Sequence, residues 1–230
     1  MLRLLPRWLC LWAICAAPGL AGTICVTGTL ASYETLGSGG CQIGGLTVDS
    51  FSYTALLGTN FAIPDTNITV TPSVVGETLG LTFFSTGFNV SGSEVANYLL
   101  AYTWDPGNIR SLEDILNNDP TTSPGQAKIT TLDCEDGIFS PTCLTTTDTL
   151  VVGDDGIHPP ILTDFVSFSP TVGTLGIQNT IALDGGGSGN GGSSEFTSFE
   201  NELTIPEPST VAPCLLLAVL MFRRWRLQGC

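Results

Sequence analysis

Basic side chains are scarce in this chain. Between residues 22 and 205 only Arg110 and Lys128 are basic, whereas all of the 21 acidic residues except Glu207 fall there. Phosphate binding rests on basic groups, so nucleic acid and anionic lipid surfaces are excluded as partners of this segment. Histidine is almost missing too: His158, ahead of Pro159 and Pro160, is the single one. With no Cys-x-x-Cys spacing and one imidazole, a zinc site has no ligand set. No Gly-x-Ser-x-Gly occurs, so a Ser-His-Asp triad would need His158 to meet a serine and an acid in space, from what reads as a solvated loop. Long helical patterns are also lacking, and the longest uninterrupted apolar runs lie at the two ends of the chain.

Those ends have a recognisable order of parts. Arg3 and Arg7 precede an apolar stretch from Trp8 to Ala17, and Gly19 and Ala21 supply the small residues a signal peptidase needs, which predicts a signal peptide over residues 1–21. No lipobox precedes Cys10, Cys15 or Cys25, so the exported chain is not expected to carry an amino-terminal lipid. At the other end Pro206, Glu207, Pro208, Ser209 and Thr210 lead into an uncharged run from Val211 to Phe222, closed by Arg223, Arg224 and Arg226. Pro206 and Pro208 lack backbone donors and hold their neighbours extended, leaving the tripeptide open to a processing enzyme. The arginines fix the tip in the cytoplasm and everything upstream outside. The run of 12 residues makes roughly 18 Å of helix against a hydrocarbon core of roughly 30 Å, a short transmembrane anchor. An ordinary core helix would not explain an arginine cluster directly behind an all-apolar run.

This carboxyl-terminal pattern resembles the PEP-CTERM sorting signal of Gram-negative bacteria, in which tripeptide, span and arginines are read by exosortase, a membrane cysteine transpeptidase. Cys41 to Val48 followed by Phe51-Ser52-Tyr53, and Tyr98-Leu99-Leu100-Ala101-Tyr102, are similar to segments of uncharacterised PEP-CTERM proteins. The resemblance implies an exported surface protein in a setting of exopolysaccharide and biofilm, with exosortase and the inner membrane as partners, and it names no activity.

The segment 22–205 has single-domain length. Its cysteines, Cys25, Cys41, Cys134 and Cys143, form an even set that fits two disulfides in an oxidising compartment. Three pairings are open, and local loops favour Cys25 with Cys41 and Cys134 with Cys143. Short Thr-, Val- and Leu-rich runs between turn residues predict an all-β, antiparallel sandwich. The strands are expected at Thr23–Tyr33, Leu46–Ala55, Asn67–Thr71, Leu79–Phe84, Asn97–Trp104, Ala127–Asp133, Thr146–Val152, Asp164–Ser169, Gly173–Ala182 and Phe196–Thr204. Ile109–Asn118 alone reads as helical, with Ser111 as N-cap and Leu112, Ile115 and Leu116 at helical spacing. A strand is the weaker alternative there. Gly185–Gly192 reads as a long flexible loop.

Alternation puts Tyr98, Leu100, Tyr102 and Trp104 on one face of a strand. Burial in the core is the expectation for them; a carbohydrate-binding module would instead expose Tyr98, Tyr102 and Trp104 as a stacking platform. Adjacent acids such as Glu135 with Asp136, or Asp154 with Asp155, seldom face each other across a cleft as a glycosidase requires. Asp133, Glu135 and Asp136 before Gly137, and Asp154 and Asp155 before Gly156, offer hard oxygen ligands beside a turn glycine, as calcium prefers, and equally read as plain Asp-Gly turns. No catalytic residue and no cofactor other than this calcium option is expected. The sequence therefore predicts a non-enzymatic exported protein, with an extracellular carbohydrate-binding module or a secreted hydrolase as rivals.

Overall fold

The computed structural model describes residues 22–206 apart from 118–120, 138, 140–142, 144–146 and 188–190. The expected signal peptide, and Glu207 to Thr210, the apolar run, Arg223, Arg224 and Arg226, lie outside the described residues.

The alternating runs become strands of two antiparallel sheets. In chain order they are β1 (Gly28–Thr29), α1 (Leu30–Glu34), β2 (Cys41–Ile43), β3 (Leu46–Ala55), β4 (Thr69–Val75), β5 (Thr78–Phe84), β6 (Asn89–Ser91) and β7 (Val95–Asp105). There follow β8 (Ile109–Asn117), β9 (Gln126–Glu135), β10 (Thr149–Asp154), β11 (Thr163–Val172), β12 (Leu175–Asp184), β13 (Ser193–Glu195) and β14 (Ser198–Thr204). One sheet runs β10-β9-β12-β7-β3-β2 and the other β1-β4-β5-β14-β8-β11, with β13 and β6 forming a small ribbon. The architecture is the expected all-β sandwich.

The core lies between the two sheets and is built from the inward rows that alternation names. On β7 these are Ala96, Tyr98, Leu100, Tyr102 and Trp104, and β5 and β14 answer with Leu81, Phe83, Phe199 and Leu203. Phe51 stacks on Tyr102 at 5.1 Å and Phe83 on Phe199 at 4.9 Å, while Phe83 meets Tyr102 across the sheets at 5.8 Å. Such ring pairs add to the area that each side chain buries.

Two expectations fail. Thr23–Tyr33 is not one strand: Ile24 makes a single bridge to Gln42, Gly28–Thr29 pairs with β4, and the chain then turns into α1. Thr29 Oγ1 caps it by accepting from the Ser32 backbone, and Leu30 and Tyr33, three residues apart, share its buried face. The described part of the expected helix, Ile109–Asn117, is not helical but forms β8, paired on both sides with β14 and β11. Its inward row beyond Ile109 is Leu112, Asp114 and Leu116, so a buried acid occupies the position whose polarity disguised a period of two. Two full ladders outweigh a weak local helical preference.

Both disulfides close as the local pairing expected, Cys25–Cys41 and Cys134–Cys143. The glycine-rich segment is docked at its described ends. Gly187 N donates to Gly92 O at 2.8 Å and Gly92 N to Gly192 O at 3.2 Å. A Cβ at Gly185 would stand 2.5 Å from the Ser91 carbonyl carbon, so close backbone approach demands glycine there.

Candidate functional site

Two places on the β9–β10 pair hold the side chains on which chemistry could rest. The first is a depression of about 230 Å³ along β9 and β10. Gln126, Lys128, Asp154, Asp155 and His158 give it hydrogen-bonding groups, and Ala127, Val151, Pro159 and Ile161 an apolar lining. The loop after β10 builds its wall. Gly153 and Ile161 exchange both backbone hydrogen bonds at 2.8 Å, folding residues 154–160 back over the strand pair. Asp154 Oδ1 accepts from Gly156 N at 2.7 Å, and Asp155 Oδ1 accepts from Ile157 N and His158 N at 2.9 and 2.8 Å. These two acids therefore make the turn, as their Asp-Asp-Gly sequence allows, and are not joined to the other calcium candidates.

His158 Nδ1 lies 2.7 Å from Asp155 Oδ2 at an exposed position. That hydrogen bond, and the negative charge behind it, raise the imidazole pKa. Backbone donation from His158 leads the causes that lower the pKa of Asp155. A paired His and Asp is half of what a triad requires, but among the described residues no Ser, Thr or Cys lines the depression. Its two carboxylates are sequence neighbours engaged in one turn, not acids opposed across a cleft.

The second place is the far end of the same strand pair. Pairing of Thr149 with Leu132 carries Asp148 to the position opposite Asp133, and Asp133, Glu135 and Asp148 gather with one oxygen of each within 4.8 Å of the others. Sequence reasoning named Asp133 and Glu135 but missed Asp148, because only strand register makes it a neighbour. Asp136 is set apart: its backbone takes φ +52° and its Oδ1 accepts from Gly173 N at 2.6 Å. Asp133 is 0% exposed; its Oδ1 accepts from the Asp148 backbone and its Oδ2 has no hydrogen-bond partner among the described residues. Burial raises the pKa of Asp133 and, with the charge of Asp133 added, that of Glu135.

The aromatic platform does not form. Tyr98, Tyr102 and Trp104 are 6%, 2% and 0% exposed, so these rings belong to the core. Tyr102 instead anchors a polar cluster inside the sandwich. Its hydroxyl donates to Asn201 Oδ1 at 2.6 Å, Thr131 Oγ1 donates to Asn179 Oδ1 at 2.6 Å, and Asn201 Nδ2 donates to Asp114 Oδ1 at 2.6 Å. Burial pushes the Asp114 carboxyl up to about 7. The Asp114 Oδ2 and Trp104 Nε1 atoms are buried without a hydrogen-bond partner among the described residues.

Pro206, the one described residue of the carboxyl-terminal motif, lines a depression of about 350 Å³ with Gly44, Leu46, Pro106, Gly107, Asn108 and Ile205. Just before it, Ile205 N donates to Glu77 O at 2.9 Å.

No family model and no curated protein matches the chain. Among solved structures, TmCBM61 in complex with β-1,4-galactotriose is 11% identical, with a TM-score of 0.34 over 66% of this chain and 86% of its own. TmCBM27, a carbohydrate-binding module described for specific mannan recognition, is 10% identical, with a TM-score of 0.28 over 79% of this chain and 97% of its own. Scores this low carry no function across, and the residues of this chain have to supply the argument.

Proposed function

We propose that the chain is an exported, non-catalytic protein of the cell surface or extracellular matrix whose sandwich binds polysaccharide through the β9–β10 depression. The composition of that depression is the observation that carries the reading. A sugar ring presents apolar C–H faces and a rim of hydroxyls. Ala127, Val151, Pro159 and Ile161 suit the faces; Gln126, Lys128, Asp154, Asp155 and His158 suit the rim. At about 230 Å³ the depression is smaller than the roughly 300–1,000 Å³ of sites that engulf a ligand. One unit of an extended polymer, left open to solvent on one side, fits such a shape better than an enclosed small molecule.

The two disulfides support an extracellular destination. Delivery falls to the ends: residues 1–21 take the chain across the inner membrane, and Pro206 to Thr210, the apolar run and Arg223, Arg224 and Arg226 hand it to exosortase for release or surface attachment.

The test is titration of the full chain with neutral polysaccharides and their oligosaccharides. Binding is expected, with Gln126→Ala and Lys128→Ala each weakening it about tenfold, on the order of 1.4 kcal/mol, and leaving the thermal midpoint unchanged. Lack of binding to any glycan, or unaltered affinity in the double variant, would sink the reading. Release of new reducing ends would turn it into a hydrolase.

A further inference from the structure

We propose that Asp133, Glu135 and Asp148 form a Ca2+ site at the base of the loop closed by the Cys134–Cys143 disulfide. Geometry is the first argument. Two oxygens bound to one Ca2+ at about 2.4 Å stand no further apart than about 4.8 Å, and the three carboxylates offer oxygens within 4.8 Å of one another. Mg2+, bound at about 2.0–2.1 Å with near-ideal octahedral demands, needs a tighter cluster.

The second argument is independent of that spacing. Asp133 is fully buried, and among the described residues Oδ2 is left without a hydrogen-bond partner. An unsatisfied buried carboxylate oxygen is costly unless something positive meets it. Lys128, on the same strand, is five residues away, roughly 17 Å along extended chain, too far to serve. The other oxygen of Asp133 is already held by the Asp148 backbone, which fixes the carboxylate before any ion arrives.

The ligands also come from two strands that flank the disulfide-closed connection. Asp133 and Glu135 end β9, and Asp148 immediately precedes β10. An ion shared by them would clamp both ends of the connection, beside the covalent clamp that Cys134 provides from the neighbouring position. All three donors are hard oxygens, and backbone carbonyls or water can complete the 6–8 that Ca2+ takes.

The experiment uses the full disulfide-bonded chain, stripped with chelator and titrated with Ca2+ or Mg2+ by calorimetry, with thermal melts alongside. The expected result is one Ca2+ per chain, a raised midpoint, and at least a tenfold preference over Mg2+. Asp133→Asn and Asp148→Asn should each weaken binding about tenfold or more. Asn keeps the Oδ1 acceptor at 133; should that variant still misfold, Glu135→Gln and Asp148→Asn, at less buried positions, carry the test. The pair Glu113→Gln and Glu202→Gln removes equal charge elsewhere and should leave Ca2+ affinity unchanged. No binding at millimolar Ca2+, equal response to Mg2+, or equal loss in the control pair would overturn the site.

Discussion

Burial of Asp114 gives this molecule one pH-dependent contribution to its stability. It sits on the inward row of β8, accepts from Asn201, and its carboxyl titrates near 7, against 3.8 for an ordinary aspartate, because burial disfavours the charge. A carboxyl whose pKa is raised by folding binds its proton more tightly in the native state. Its contribution to stability is therefore complete below about pH 4 and is lost as pH rises toward 7. The amount is at most on the order of 4 kcal/mol, from roughly three pKa units. Asp114→Asn keeps an acceptor for Asn201 and removes the titration, so the variant should lose less stability than the parent between pH 4.5 and 8. Urea unfolding of both proteins at those two pH values checks it. Parallel losses in the two proteins would show that Asp114 is not the group responsible. Asp133 and Glu135 shift in the same direction, so only the difference between parent and variant isolates Asp114.

At the scale of elements, legibility followed the source of each signal. Leu46–Ala55 reads correctly to the residue because its strand-forming residues and the turn glycines before it are local, although a bulge between Asp49 and Ser52 moves the buried row from Leu46 and Val48 to Phe51. Local chain also made the cysteine pairing legible, since each bridge spans a short loop. β8 was hidden by Asp114, whose partner Asn201, itself bonded to Asn179, is brought in from a distant strand, and Asp148 by a register no sequence window contains. The depression along β9 and β10 escaped for the same reason, since its wall returns from residues 154–160 only after the Gly153–Ile161 bridge forms. The first disulfide offers a prediction at this scale. Residues 22–27 are tied to β2 by Cys25–Cys41 and by backbone bonds from Cys25 N to Gln42 O at 3.0 Å and from Gln42 N to Thr23 O at 2.7 Å. With the cysteines 16 positions apart in sequence, the chain-entropy model assigns the bridge about 3 kcal/mol. Replacing Cys25 and Cys41 together by Ala should lower unfolding free energy by roughly that amount in guanidinium titrations. A change within about 0.5 kcal/mol would mean that the unfolded chain gains little freedom when the bridge is lost.

For the whole molecule, the carboxyl-terminal end of the sandwich constrains how the chain can be processed. β14 is the last strand among the described residues yet lies inside its sheet, laddered to β5 on one side and β8 on the other along its full length. Phe199 and Leu203 from it are buried, and Asn201 joins the internal polar cluster. The chain stays attached to the body past the strand, through the Ile205 hydrogen bond to Glu77, and Pro206 lines the depression beside Gly107. A cut within Ser198–Thr204 would thus open a central strand, whereas a cut beyond Pro206 leaves every described core contact in place. A chain ending after Pro206 should melt within about 2 °C of the full chain, and one ending at Thr197, lacking β14, should not fold. Intact mass of the exported protein tests the same constraint in the cell. From a host with exosortase, the mature carboxyl terminus should lie beyond Pro206 and short of Arg223; from a host without it, the tail should remain. A terminus upstream of Thr204 would contradict the role assigned to β14, and identical full-length tails in both hosts would leave the last residues as a plain anchor.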